Sequence, residues 1–170
     1  MLLSEIADGT KVFVDSNIFI YHFSNFEPFA APCLSLFQRI EDGDLSGYTS
    51  SVVLAEVLHR LMVIEASKKF DIQPKKVVKY LKENPNKISS LTDHPKSLDF
   101  IERIGVTILP VTAHDLKVSI DLKTEFGLLT IDAINLSVMK NNDLFTIASN
   151  DSDFEKVSWL NLYLPYISDL

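Results

Sequence analysis

The sequence is poor in the residues that define several protein classes. It has one cysteine, Cys33, so no intrachain disulfide can form, and its four histidines show no zinc-type spacing with that cysteine. Cys33 reads as a small, half-buried apolar residue. Positive charge is also scarce, with 16 basic residues against 23 acidic and a net charge of −7. That argues against a protein that coats nucleic acid without selectivity, because phosphate binding rests on clustered Lys and Arg. A nuclease stays open, since acids gathered in a metal site add to the deficit and a bound cation reverses the local sign. Long apolar runs are missing as well. The most apolar stretch, Val52 to Ile64, is interrupted by Glu56, His59 and Arg60, which marks a helix buried on one face and not a membrane span. Met1 to Thr10 carries Glu5 and Asp8 and lacks the basic-then-apolar order of a signal peptide. A reducing cytoplasm is the expected setting.

What remains is a globular chain. Hydrophobic residues make up 46% of it, Gly and Pro are modest, and 170 residues suit one domain spanning 1–170 with a proper core. Lys11 to Asp15 reads as a first strand, a near-continuous apolar run of the kind buried on both faces. A short helix from Ile18 ends near Ser24-Asn25, and Pro28 to Glu41 restarts helically until Asp42-Gly43-Asp44 stops it. Ser46 to Thr49 is a weak second strand. Ser50 to Lys69 carries the strongest helical pattern, with Leu54, Val57, Leu58, Leu61 and Glu65 in one row, all but the last apolar.

Pro74 opens a further helix, as proline does at a first turn. Ser97 to Ile104 fits a helix closed by Gly105, Thr112 to Phe126 one ended by Gly127, and Thr130 to Asn141 another. Strands are expected at Val106 to Val111, Leu144 to Ala148 and, more briefly, Leu162 to Leu164. Alternating strands and helices imply an α/β domain with a mostly parallel sheet of about five short strands. The stretch 66–97 supplies no strand and reads as a helical elaboration on one side.

Several acids stand where apolar neighbours ought to discourage them. Asp15 ends the first strand; Glu56 lies within Val53-Leu54-Ala55-Glu56-Val57-Leu58; Asp132 lies within Thr130-Ile131-Asp132-Ala133-Ile134. Asp151 and Asp153 follow the fourth strand. Each has an ordinary reading. Asp15 or Ser16 caps a helix. Glu56 pairs with Arg60 one turn on, for about 0.3–0.5 kcal/mol. Asp132 complements a helix dipole behind a Thr130 cap, and Asp151 and Asp153 are loop or capping acids. Together they favour a different reading. Asp15 and the Asp151/Asp153 pair follow strands at their carboxyl ends, and the other two lie near helix N-termini facing the same edge, where open α/β sheets place ligands. Carboxylates converging there repel unless a cation holds them. Hard divalent ions take oxygen ligands, and their natural chemistry in such a site is phosphodiester hydrolysis.

At these residues the sequence resembles the PIN-domain ribonucleases, in particular the VapC-like toxins of type II toxin–antitoxin pairs. The matching motifs are Val14-Asp15-Ser16-Asn17-Ile18, Ala55-Glu56-Val57, Asp132-Ala133-Ile134-Asn135-Leu136 and Ser149-Asn150-Asp151-Ser152-Asp153-Phe154. They run in the family's order and span nearly the whole chain. The resemblance implies a PIN-like three-layer α/β/α fold, a Mg²⁺ or Mn²⁺ site at the strand ends and endonucleolytic cleavage of RNA. It makes Asp15 and Asp132 the principal metal ligands, Glu56 a ligand directly or through water, and Asp151 the fourth acid, with Asp153 in support. Ser16, Asn17 and Ser149 would orient the acids and metal-bound waters, while Phe154 reads as a core anchor. A homodimer and an antitoxin whose segment covers the acids follow from the resemblance alone; surplus apolar residues between Phe19 and Phe37 suit either such a surface or the core.

Departures are the hydroxyl of Ser149 where Thr is more usual, a longer 66–97 segment and the overall acidity. Lys75, Lys76, Lys79 and Lys82 recur at helical spacing, as a solvated face or as a phosphate track. Among alternatives, a haloacid-dehalogenase-like phosphatase needs a second Asp where Asn17 stands, and a receiver-type phosphoacceptor needs an acidic pair that Val14-Asp15 does not supply. An RNA-processing nuclease outside any toxin–antitoxin pair and a non-catalytic PIN-like module that binds RNA or protein stay open.

Overall fold

Strand and helix alternate along the chain, and the computed structural model, which describes residues 1–166, assembles the strands into one wholly parallel sheet. The strands are β1 (Lys11–Val14), β2 (Ser46–Ser50), β3 (Thr107–Leu109), β4 (Thr146–Ala148) and β5 (Asn161–Tyr163), in the spatial order β3-β2-β1-β4-β5. Flanking helices complete three α/β/α layers: α1 (Ser16–Ser24), α2 (Ala30–Glu41), α3 (Ser51–Phe70), α4 (Pro74–Glu83), α5 (Lys96–Arg103), α6 (Ala113–Phe126) and α7 (Thr130–Asn141).

β1 is central because its sequence can be buried on both faces. Val12, Phe13 and Val14 are fully buried, and Phe13 stands in register with Tyr48 of β2 and Ile147 of β4. Burying each such side chain stabilises the fold by about 1.5–3 kcal/mol. From β1 the chain winds outward to β2 and β3, then returns to the other side of β1 for β4 and β5. The order therefore reverses between β1 and β4. A doubly wound sheet opens its ligand crevice at such a point, outside the carboxyl ends of the strands.

Most element bounds match the pattern in the sequence, and the differences have local causes. β3 is three residues long instead of six, pairing only from Thr107 to Leu109 at the sheet edge, because Pro110 has no N–H to continue a ladder. Cys33 is fully buried, not half-buried, and burial pushes its thiol up to about 12. Thr130 is not a cap: Leu129 holds the N-cap position of α7, and the Thr130 hydroxyl accepts from Lys123 Nζ at 3.2 Å. Gly47 of β2 is required by space, since a Cβ there would lie 2.9 Å from Ile40 Cδ1 and 3.1 Å from Val106 Cγ2.

The segment 66–97 carries a small core of its own. Ala66, Val77, Leu81 and Leu91 are buried together, with Phe70 and Tyr80 packed against them. Met62 and Val63 pack against it from α3, and Glu65, the one polar member of the α3 row, adds a polar tie. The Glu65 carboxylate accepts the backbone N–H groups of Thr92 (2.7 Å), Asp93 (3.1 Å) and His94 (3.0 Å), and contacts His94 Nδ1 at 2.9 Å. Partial burial would raise its pKa, yet these four contacts outweigh that and hold it at about 2. Among the described residues no helix is long and apolar enough to cross a membrane.

Candidate active site

Asp15 leaves the end of β1 with an extended backbone (φ −81°, ψ 163°) and stands at the N-cap of α1. The capping role is real: Oδ1 accepts the Ser16 N–H at 2.7 Å. It does not exhaust the carboxylate. Oδ2 accepts the Ser149 hydroxyl at 2.7 Å and the Asn17 side-chain amide at 2.7 Å. Asn17 is held in turn by the Asn150 N–H, which donates to its Oδ1 at 3.0 Å, and Ser149 Oγ accepts the Asp151 N–H at 3.1 Å. One hydrogen-bonded set therefore ties the end of β1 to the end of β4 across the crevice. Ser16 contributes through its backbone.

Three other acids share this crevice. A cleft of about 370 Å³ is lined by Asp15, Glu56, Asp132 and Asp151, together with Asn17 and Arg60. Ile20 and Tyr21 of α1, Val63 and Ile64 of α3 and Pro74 of α4 supply its apolar wall. The charges feel one another. Burial pushes the Asp15 carboxyl up to about 6 against the pull of its hydrogen bonds to Ser149 and Ser16, and the charges of Glu56 and Asp132 push the same way. Asp132 also rises to about 6, first through burial and then through Asp151, Asp153 and Glu56.

Glu56 keeps the pairing its sequence allows, with Arg60 Nε 3.9 Å from Oε1, at the outer edge of an ion pair. Asp151 caps a 3₁₀ turn, its Oδ1 accepting the Asp153 N–H at 2.9 Å. Asp153 therefore supports Asp151 through its backbone, while its carboxylate faces Lys156 Nζ at 2.6 Å. Phe154 is buried in the core.

Lys75, Lys76, Lys79 and Lys82 are exposed on α4, opposite the buried Val77 and Leu81. They lie outside the cleft lining, but Pro74 at the start of the same helix forms part of it. Asn135 shows an organising role that spacing alone does not reveal. It is buried in α7, one turn beyond Asp132, and its Oδ1 accepts the Ser50 hydroxyl at 2.8 Å. Ser50 is the N-cap of α3, so this contact fixes the helix of Asp132 against the helix of Glu56. The available signal was an amide inside the apolar run Ala133-Ile134-Asn135-Leu136.

Among the described residues no three His, Cys, Asp or Glu side chains stand close enough to form a closed metal-ligand set. The four acids nonetheless border one cleft. In chemistry the donor set fits a hard divalent ion: every acid offers oxygen, and the buried Asp15 carboxylate is already aimed and held by three donors. The buried Cys33 thiol is not among the cleft's lining residues.

A parallel α/β sheet with an acidic cleft at its switch point defines a class of doubly wound domain, and similarity to known proteins narrows it. The chain matches the PIN domain over residues 12–160 and belongs to that family. It is 28% identical over 158 residues to ribonuclease VapC2 of Methanocaldococcus jannaschii, covering 91% of this chain and 94% of that protein. Among solved structures, VapBC2 of Rickettsia felis bound to a DNA fragment from its promoter superposes with a TM-score of 0.60, at 19% identity over 91% of this chain and 98% of that one. VapC20 of Mycobacterium tuberculosis, a sarcin–ricin loop cleaving toxin, superposes with a TM-score of 0.56, at 14% identity over 86% of this chain and 95% of that one. At those identities the structures establish the fold, which is the PIN-like three-layer arrangement.

Proposed function

We propose that the protein is a divalent-metal-dependent endoribonuclease of the VapC kind, the toxin component of a toxin–antitoxin pair. The observation that carries the reading is the convergence of Asp15, Glu56, Asp132 and Asp151 on one cleft at the sheet's switch point, where burial first, and the neighbouring acids after it, raise the pKa values of Asp15 and Asp132. Four carboxylates in a partly desolvated cleft are costly unless a cation offsets them. The relative named as a ribonuclease supports RNA as substrate.

In this reading Asp15 and Asp132 would hold Mg²⁺ or Mn²⁺, with Glu56 and Asp151 joining directly or through water. Such an ion would supply an activated water and offset charge on the phosphodiester. Asn17 and Ser149 keep the Asp15 carboxylate aimed into the cleft, and the Asn150 N–H keeps Asn17 in place. Asn135 holds the two helices that bear Asp132 and Glu56 at a fixed separation through Ser50. Ile20, Val63 and Ile64 exclude water from the wall facing the acids. The α4 lysines supply non-specific phosphate contacts along the strand leaving the cleft.

Structural neighbours described as toxin–antitoxin complexes support an antitoxin partner. The apolar surplus of Phe19 to Phe37 divides between core and surface: Phe19 and Phe37 are buried and stacked on each other at 5.2 Å, whereas Phe26 is 54% exposed and stacks on the cleft-lining Tyr21 at 5.6 Å. A partner segment lying over the acids would meet Phe26 at the cleft's edge. Homodimerisation belongs to the same proposal. The test is cleavage of single-stranded RNA with Mg²⁺ or Mn²⁺, its loss with EDTA and its loss in Asp15→Asn. Absence of cleavage under all metal conditions would favour a non-catalytic binding module.

A further inference from the structure

The acidic cleft contains one basic side chain among its lining residues, Arg60. It stands one helical turn beyond Glu56 on α3, with its side chain 64% exposed and its Nε only loosely engaged at 3.9 Å. A firm Arg–carboxylate pair closes to about 2.7–2.9 Å and is commonly bidentate. Arg60 does neither, so most of its donors remain available to a ligand entering the cleft. The chain's other two arginines are committed elsewhere: Arg39 donates to the Ile6 carbonyl at 2.6 Å and to Asp8 at 2.7 Å, and Arg103 lies over the Phe100 ring at 5.4 Å.

We infer that Arg60 is the cleft's substrate-phosphate contact. The inference rests on the ribonuclease reading and adds a named residue to it. A phosphodiester carries a negative charge into a cleft bordered by four carboxylates, and a metal ion offsets only part of that repulsion. A planar, permanently charged guanidinium at the rim supplies the remainder and presents paired donors to two phosphate oxygens. Its tether on α3 sets it beside Glu56, so the phosphate it grips lies next to the acids, inside the cleft lining that the α4 lysines stand outside. The loose contact with Glu56 provides the resting position, and moving from Glu56 to a phosphate exchanges one weak pair for a stronger one. The same shift frees Glu56 to face the ion.

The test compares Asp15→Asn, used as a non-cleaving background, with Asp15→Asn/Arg60→Gln and Asp15→Asn/Arg60→Lys. Binding of a labelled single-stranded RNA is followed by fluorescence anisotropy across a salt series in Mg²⁺. Removing one phosphate contact should lower the slope of log affinity against log salt by about 0.7. Affinity should fall roughly tenfold to a hundredfold in the Gln variant. The Lys variant should keep the slope but bind less tightly than Arg, having lost the paired donors. In the otherwise wild-type enzyme, Arg60→Gln should raise KM more than it lowers kcat. An unchanged slope and affinity in the Gln variant, in a protein whose wild type cleaves RNA, would reduce Arg60 to a surface partner of Glu56. Failure of the wild type itself to bind or cut RNA would overturn the ribonuclease reading and this inference with it.

Discussion

The buried Asp15 carboxylate should make the metal-free protein less stable at neutral pH than in mild acid. Burial and its acidic neighbours move this group from 3.8 to about 6. A shift of that size corresponds to about 3 kcal/mol against the ionised form. Because the folded-state value is raised, the native state binds the proton more tightly than the unfolded chain. The stabilisation is complete below the unfolded value and is lost as pH rises through about 6. Between pH 7.5 and pH 5 the linkage relation gives about 1 kcal/mol of added stability from Asp15 alone. Asp132 acts in the same direction, trimmed by its greater contact with solvent.

Urea denaturation in EDTA at the two pH values measures the difference directly. The wild type should gain stability on acidification, less what the half-buried His22 costs, since burial holds its imidazole below the usual value, and Asp15→Asn should gain less than the wild type by about 1 kcal/mol. At pH 7.5, Mg²⁺ at ten times its dissociation constant should restore about 1.4 kcal/mol to the wild type and much less to Asp15→Asn. Equal pH dependence in the two proteins would refute the argument that Asp15 is held charged at a cost.

Three further outcomes follow from other contacts. Ser149→Ala removes the hydroxyl that donates to Asp15 and accepts from Asp151, so RNA cleavage rate should fall by about tenfold or more, with melting temperature the control. Glu65→Ala removes the acceptor of three backbone N–H groups, costing about 2–3 kcal/mol. Hydrogen exchange should show the loss concentrated in residues 74–103, and uniform protection across the chain would contradict it. Reversing charge at Lys75, Lys79 and Lys82 should weaken RNA binding and lower its salt slope while leaving metal affinity unchanged; an unchanged slope would remove α4 from the RNA path.

Much of this organisation was legible in the sequence because each part is locally encoded. The apolar run before Asp15 marks a strand buried on both faces, and Asp42-Gly43-Asp44 and Gly127 stop their helices where the structure ends them. Glu56 and Asp132 could be named because each interrupts an apolar stretch, and Asp15 and Asp151 because each follows a strand at its carboxyl end. What stayed hidden depends on partners distant in sequence. Asp15 proved to be both a helix cap and a cleft acid, and the choice between those roles was a false one, since its two oxygens have different partners. Glu65 stood out as the exception in an apolar row, but the N–H groups that donate to it lie 27 to 29 residues away in the 92–94 turn. The Ser50–Asn135 bond joins residues 85 apart. Thr130 failed as a cap because Leu129 already supplies the extended backbone that a cap position needs.

The most direct test of the central claim is Mn²⁺ titration of the purified protein, followed by electron paramagnetic resonance of the free ion. The account predicts saturable binding to the wild type that is strongly weakened in Asp15→Asn and in Asp132→Asn, and unchanged in Lys79→Gln. Binding by both Asp variants equal to that of the wild type, or no saturable binding at all, would contradict it.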